Sequence, residues 1–487
     1  MFENIVSSLV DIVWSPILVV VCISAGLLFS ILTRFVQVRK FKEMVKLLFA
    51  NDKNKKVGIS SFQAFALAIS GRVGTGNIAG VATAIALGGP GAIFWMWVIA
   101  FFGASTAFVE SVLAQIYKVR KGNEYRGGPS YYIKKGLNCH WLAILFAIST
   151  IIGCGFLLPT VQSNSVSVAM SNSLGIDKLI IGISLAFLLA IVIIGGVKRI
   201  ASVAEIVAPF MAIAYVAVSL IVISVNIERV PEMFSLIIDS ALGMHQVFGA
   251  IIGSTIMMGV KRGIFSNEAG QGSGAIVSAA AKVSHPVKQG LVQAFSVYID
   301  TLLVCTATAL MILITGMYNV FDGNGNYIVE NAGHLKESVY FTQAAVDTVF
   351  SGVGNVFVAI SLLFFSFTTL MAYYYYAETS FIFIFKKKRN EEIVIWLLRV
   401  LIVTAVCYGA IKEATLAWQL GDIGVGLMAW INLIVIFIMF PIAIRTLRDY
   451  DKQKKLGISE PVFDPKKLKI KNADYWENDY KENNSQT

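Results

Sequence analysis

From Trp14 to Ile444 the chain keeps returning to long apolar stretches. Each is close to the ~20 residues that a helix needs to cross a bilayer. A backbone in hydrocarbon finds no water, so it spans either as a helix or as part of a closed barrel. Barrel strands run about ten residues and alternate in polarity. These stretches do not alternate, so the chain reads as an all-α membrane protein. Only 14% of its residues are charged, against roughly 25% in soluble domains. Lipid, rather than water, must therefore solvate most of its surface.

About eleven spans follow from the ~20-residue criterion. They fall at 13–33, 59–86, 91–117, 140–174, 178–196, 200–226, 244–281, 288–316, 352–384, 393–411 and 418–444. The segment 340–351 is amphipathic and reads as a short surface helix. The first span has no basic stretch before it and no small-residue cleavage site before Arg34, so it is expected to stay as a membrane helix.

Positive loops face the cytoplasm, and the basic residues test the count. Arg34, Arg39, Lys40, Lys42, Lys46, Lys53, Lys55 and Lys56 fill the first loop, and the loop 87–90 has none. Lys118, Arg120, Lys121, Arg126, Lys134 and Lys135 come next, followed by a turn with Lys178 alone. Lys198 and Arg199 alternate with Arg229, Lys282 and Lys288 with Lys336, and Lys386, Lys387, Lys388 and Arg389 with Lys412. This pattern puts the N-terminus outside and the C-terminus in the cytoplasm of a cell in whose inner membrane the chain sits. The tail 445–487 is polar, mixed in charge and expected to be mobile and cytoplasmic.

The net charge of +10 is accounted for by these loops, and no basic and aromatic module suggests nucleic acid. Cys22, Cys139, Cys154, Cys305 and Cys407 are scattered and expected to be free thiols. His140, His245, His285 and His334 are dispersed, with no metalloprotease motif or paired carboxylates. An enzyme is the weakest reading.

Two spans are interrupted. The first reads Ser70-Gly71-Arg72-Val73-Gly74-Thr75-Gly76-Asn77, and the second runs from Gly259 to Gly272. Each glycine weakens a helix by roughly 1 kcal/mol relative to alanine. With the first helix set aside, each interruption opens a five-helix half, 59–226 and 227–444, flanked by 1–58 and 445–487. Five is odd, so the halves are inverted relative to each other. Paired Gly-interrupted spans point to a transporter's binding site, because unwound backbone exposes N–H groups to anions and carbonyls to cations. Glycines also serve close helix packing. Arg72, Lys261, Arg262 and Glu268 tilt the balance, being costly at membrane depth unless paired or wetted. Glu268 is expected to neutralise one of the arginines. Arg72 precedes Asn77, and Arg262 precedes Asn267, by the same interval.

These residues resemble the alanine or glycine:cation symporter family. The resemblance rests on Gly71–Val81 (GRVGTGNIAGV), Pro90–Trp97 (PGAIFWMW), Arg126–Ile133 (RGGPSYYI) and Lys261–Gly272 (KRGIFSNEAGQG), and covers nearly all of the membrane region. It implies a LeuT-type fold, a 5+5 inverted repeat with two broken helices plus one extra N-terminal helix. It also implies symport of alanine or glycine with sodium by alternating access. Carried over, Thr75 and Gly76 offer backbone N–H groups to a substrate carboxylate, with Asn77 beside them. Phe265 walls the pocket, and Ser266 and Asn267 lie near. Gln162 sits in a polar run, Gln162-Ser163-Asn164-Ser165, which either bonds helices together or, as the resemblance has it, meets substrate. The sodium shell implied is the carbonyls of Ser70, Val73 and Phe365 with the hydroxyls of Thr368 and Thr369. Such threonines otherwise bond back to the preceding turn.

The sequence departs from the family at Ala372-Tyr373-Tyr374-Tyr375-Tyr376-Ala377-Glu378, where a family tryptophan is replaced by Tyr373. A smaller ring with a hydroxyl brings glutamine into range. Two rivals share the membrane architecture. Proton coupling needs a titratable group in the cavity, for which Glu268 is the candidate. An ion channel would not need two asymmetric broken helices.

Overall fold

The computed structural model describes residues 2–49, 57–322, 325–333, 335, 338–385 and 391–480. Lys53, Lys55, Lys56, His334, Lys336, Lys386, Lys387, Lys388 and Arg389, invoked above, lie outside these residues.

Among the described residues, 8 helices are long and apolar enough to cross a membrane. Lys178–Ile193 is a shorter apolar helix of 16 residues, rising about 24 Å at 1.5 Å per residue. The two interrupted spans complete the expected set. Ser61–Arg72 and Gly76–Gly88 form the first; Ile252–Asn267 and Ser273–Ala280 form the second. The first membrane helix begins earlier than its apolar run, as Phe2–Val13, a turn at Trp14, and Pro16–Leu32. Two small hairpins, Val119–Lys121 with Glu124–Arg126 and Asn319–Phe321 with Tyr327–Glu330, lie between spans.

The broken spans run in opposite directions and are tied at both ends. At one end the Ile59 amide donates to the Ala280 carbonyl (3.1 Å), and the Lys282 amide donates to Ile59 (3.0 Å). At the other, the hydroxyls of Ser254 and Thr255 donate to the carbonyls of Leu87 (2.6 Å) and Gly88 (2.7 Å). Opposed orientation is what inverted halves require.

The structure corrects three expectations. The second interruption covers only 268–272, because Gly259 and Gly263 are helical. They serve packing: a Cβ at either would overlap Trp95 or Ile99 of the neighbouring helix Ala92–Ile116. The amphipathic segment forms the helix Ser338–Asp347, but Phe341, Thr342, Gln343, Ala345 and Val346 are buried, so it is not a surface helix. Finally, the tail is docked, not mobile, as far as residue 480. The helix Ala414–Lys455 carries the chain out of the membrane region. Beyond it Phe463, Tyr475 and Trp476 are buried, the Phe463 amide donates to Ser284 (3.0 Å), and the Trp476 indole donates to Gln115 (2.9 Å). Aromatic side chains spaced along a polar segment found an apolar surface that composition alone did not reveal.

Candidate functional site

The first broken helix stops at Val73, whose backbone is extended (φ −76°, ψ 92°), and resumes as a π-helical turn at Gly76–Gly80. The freed backbone is taken up by side chains. The Gly74 amide donates to Asn77 Oδ1 (2.9 Å), and the Thr75 amide to Gln162 Oε1 (3.1 Å). Such local departures from α-helix recur at functional sites. Two more face the same centre: Gly153–Leu157, just before the helix that carries Gln162, and Tyr298–Cys305.

The second break is held in rarer geometry. Glu268 caps Ile252–Asn267 in the left-handed region (φ 57°), followed by Gly270 (φ 87°) and Gly272 (φ 84°). A residue with a Cβ gives up roughly 1–2 kcal/mol there.

The first broken span meets the last turn of Ile252–Asn267, just ahead of the second break, at Gly76. A Cβ at Gly76 would lie 3.0 Å from Ser266 Cα and 3.3 Å from Phe265 Cδ1. Asn77 and Ser266 converge on Asp300, which the sequence reading had not singled out. Asn77 Nδ2 donates to Asp300 Oδ1 (2.7 Å), and the Ser266 hydroxyl donates to both carboxylate oxygens (3.1 and 3.0 Å). The Thr301 hydroxyl donates to Asp300 Oδ2 (2.6 Å), and Asn267 Nδ2 donates to Thr301 (3.3 Å). Cys305 Sγ lies 3.3 Å from both Asn77 Nδ2 and Ser266 Oγ.

Phe265 packs at a tilt against Trp418 (4.9 Å between centroids, 47° between planes), and Arg262 lies over Trp418 (4.6 Å). Tyr373 is buried beside Gln162. Thr75, Asn77, Gln162, Phe265, Ser266, Asn267 and Tyr373 are at most 3% exposed. Gly76 is buried with them, so the centre is closed to both sides.

The five suggested cation ligands also come together. The Thr369 hydroxyl lies 2.8 Å from the Ser70 carbonyl, 3.5 Å from Val73 and 2.9 Å from Phe365. The Thr368 hydroxyl lies 2.9 Å from Phe365 O. Both threonines therefore bond back to the preceding turn, and Thr369 additionally bridges to the first break. The group is oxygen-only and uncharged, the chemistry of a hard monovalent cation.

Among the described residues Glu268 forms no salt bridge with an arginine, and Arg72 acts on it only through space. Arg262 forms a double contact with Asp422 (2.6 and 2.7 Å), and Lys261 joins the same carboxylate (2.6 Å). Glu268 accepts instead from the Tyr376 hydroxyl (3.2 Å). Arg72 donates to the Gln293 carbonyl (3.1 Å) and to the Ser296 hydroxyl. Asp300, Asp422 and Glu110 carry the one signal that was available: each is an acid inside an apolar span, and that alone marks a candidate.

Antiparallel broken helices around a closed polar centre define a secondary transporter. The chain belongs to the sodium:alanine symporter family, whose model matches residues 1–465. It is 53% identical over 477 residues to the putative sodium/proton-dependent alanine carrier protein YrbD of Bacillus subtilis (strain 168), covering 98% of each chain. It is 43% identical over 472 residues to the probable sodium/glutamine symporter GlnT of the same organism, covering 97% of this chain and 95% of that one. Among solved structures it shares its fold with the Eremococcus coleocola manganese transporter, at 14% identity and a TM-score of 0.52, over 82% of this chain and 83% of that one.

Proposed function

We propose that the protein imports a small neutral amino acid, alanine or glycine with glutamine in reach, together with sodium. It does so across the cell membrane, with the N-terminus outside and the C-terminus in the cytoplasm. Residues 59–226 and 227–444 are the two inverted halves, the bundle containing their broken helices rocks to open each side in turn, and 445–480 belongs to the cytoplasmic tail. The observation that carries the reading is Thr369, whose hydroxyl gathers carbonyl oxygens from the first break and from its own helix into one uncharged cage.

Sodium held between Ser70, Val73, Phe365, Thr368 and Thr369 ties the first break to the helix Gly354–Phe385, so the ion stabilises the closed arrangement. The substrate carboxylate takes the Thr75 and Gly76 amides. In the closed structure Gln162 occupies the Thr75 amide, so substrate entry swings that side chain towards the ammonium group. The close approach of Gly76 to Ser266 and Phe265 leaves room for a short side chain, and Tyr373 with Gln162 sets its upper size and polarity. The two relatives named for alanine and for glutamine support this range.

The driving force is sufficient. A charge crossing about 100 mV releases about 2.3 kcal/mol, and a tenfold sodium gradient adds about 1.4 kcal/mol. Proton coupling is the second reading, favoured by the Asp300 carboxylate at the centre and by the sodium/proton name of the alanine carrier relative.

Uptake of labelled alanine, glycine and glutamine into proteoliposomes, with an inward sodium or an inward proton gradient, decides between them. Accumulation driven by sodium is the expected result. Accumulation driven only by protons would overturn the sodium assignment and keep the fold.

A further inference from the structure

Outside the cage and the Asp300 cluster lies a second concentration of buried charge that transport of a neutral amino acid with sodium does not call on. Arg72, Glu110 and Glu268 are at most 2% exposed. They converge on three successive residues, Gly272 at the end of the second break and Ser273 and Gly274 at the start of the helix that follows it. Glu110 lies beside the Gly272 amide. Glu268 lies beside the Ser273 hydroxyl. Arg72 Nη2 lies 2.5 Å from where a Cβ of Gly274 would stand. Asn432 fastens the group, donating to Glu110 Oε2 (2.8 Å) and to the Gly270 carbonyl (2.9 Å).

The cluster is incompletely bonded. Glu110 Oε1, Glu268 Oε1, Arg72 Nε and Arg72 Nη2 have no hydrogen-bond partner. It is also unbalanced in charge: two carboxylates face one guanidinium, and the Asp300 carboxylate draws on the same arginine. Each uncompensated ion at this depth costs several kcal/mol. Asp422 is occupied with Lys261 and Arg262, so no second cation reaches the pair from there. The groups that face the carboxyls from the elements packed around them are Arg72, Tyr132, Cys154, Asp300, Tyr373 and Tyr376. Of these only Arg72 is a cation.

We propose that Glu110 and Glu268 hold one proton between them, forming with Arg72 a neutral proton-binding site distinct from the sodium cage. One proton makes the three groups neutral and supplies an O–H donor where two carboxylate oxygens stand unpartnered. Two acids sharing a site titrate as a pair, so the proton belongs to both. Arg72 immediately precedes Val73, whose carbonyl belongs to the cage. Loss of the proton draws the guanidinium towards the second break and pulls on that carbonyl. This link to transport rests on the symporter reading above; the proton site itself does not.

The test is infrared spectroscopy of the purified full-length protein in detergent, following the C=O stretch of a protonated carboxyl across pH and in heavy water. Wild type is expected to show a band of about one carboxyl that is lost as pH rises. Glu110→Gln and Glu268→Gln are each expected to remove it, since the remaining carboxylate then pairs with Arg72. Tyr376→Phe keeps both acids but removes a donor to Glu268, and is expected to move the loss of the band to higher pH. No band in wild type, or a band that survives both glutamine variants, overturns the proposal. Should those variants fail to fold, a Tyr376→Phe titration identical to wild type overturns it. Sodium-driven alanine uptake by the same wild-type preparation separates the two readings. If uptake fails while the band behaves as stated, the function falls and the proton site stands.

Discussion

Thr369 reaches three carbonyl oxygens with one hydroxyl, whereas Thr368 reaches only Phe365, so their removal differs in cost. A lost hydrogen bond or ligand contact of this kind is worth about 1 kcal/mol. Thr369→Ala is expected to raise the sodium concentration for half-maximal uptake about tenfold, or about 1.4 kcal/mol. Thr368→Ala should raise it less. A sodium titration of uptake by both variants checks the order, and equal effects would remove Thr369 from the cage. At this scale the sequence was legible where a residue type sat in an ordered motif, as with Asn77 and Ser266. It was less legible where partners were distant in the chain. Asp300 and Asp422 are solitary acids whose significance comes from what folding brings to them: Asn77 and Ser266 for one, Lys261 and Arg262 for the other. Glu268 was read as the partner of one of the arginines because buried charges are costly unless paired. Its left-handed backbone turns it instead towards Tyr376.

At the scale of elements, hydropathy placed the spans and glycine spacing placed the first break, since both depend on local chemistry. The extent of the second break was not legible, because a glycine that unwinds a helix and one that admits a neighbour look alike in sequence. Gly259 and Gly263 admit Trp95 and Ile99. Gly259 also meets backbone, with the Ala92 carbonyl oxygen 2.5 Å from its would-be Cβ, and at Gly76 the Ser266 backbone stands 3.0 Å away, where it cannot swing aside as a side chain can. Gly76→Ala is therefore expected to abolish uptake while the protein remains monodisperse and folded. Gly253→Ala provides the control: nothing lies within 4 Å of a Cβ there. It gains roughly 1 kcal/mol of helix preference and should transport normally. Normal transport by Gly76→Ala would mean that the two broken spans do not close on the substrate.

For the whole molecule, alternation of basic loops ordered the helices, but it could not show how each end of the centre is shut. At one end the docked tail packs onto the ends of the spans. Trp476 is 1% exposed and bonded to Gln115, with Lys118 over its ring at 5.3 Å. Trp476→Ala should cost about 3–5 kcal/mol and lower the thermal midpoint of the purified protein without changing its sodium dependence. The other end is covered by Phe265 and Trp418, above which Asp422 holds both Lys261 and Arg262. Asp422 is thus a single anion joining the second broken helix to Ala414–Lys455. Asp422→Asn leaves two buried cations facing each other, which forces them apart and opens that end. Cys305 is a built-in reporter, because it is buried at the centre against Asn77 and Ser266. With Cys22, Cys139, Cys154 and Cys407 replaced by serine, Cys305 should resist a membrane-impermeant maleimide in right-side-out vesicles. Adding Asp422→Asn should make it react. If it reacts equally without that change, the ion pair does not close the centre. If it reacts only in inverted vesicles, the Asp422 end faces the cytoplasm, and the orientation read from the basic loops is reversed.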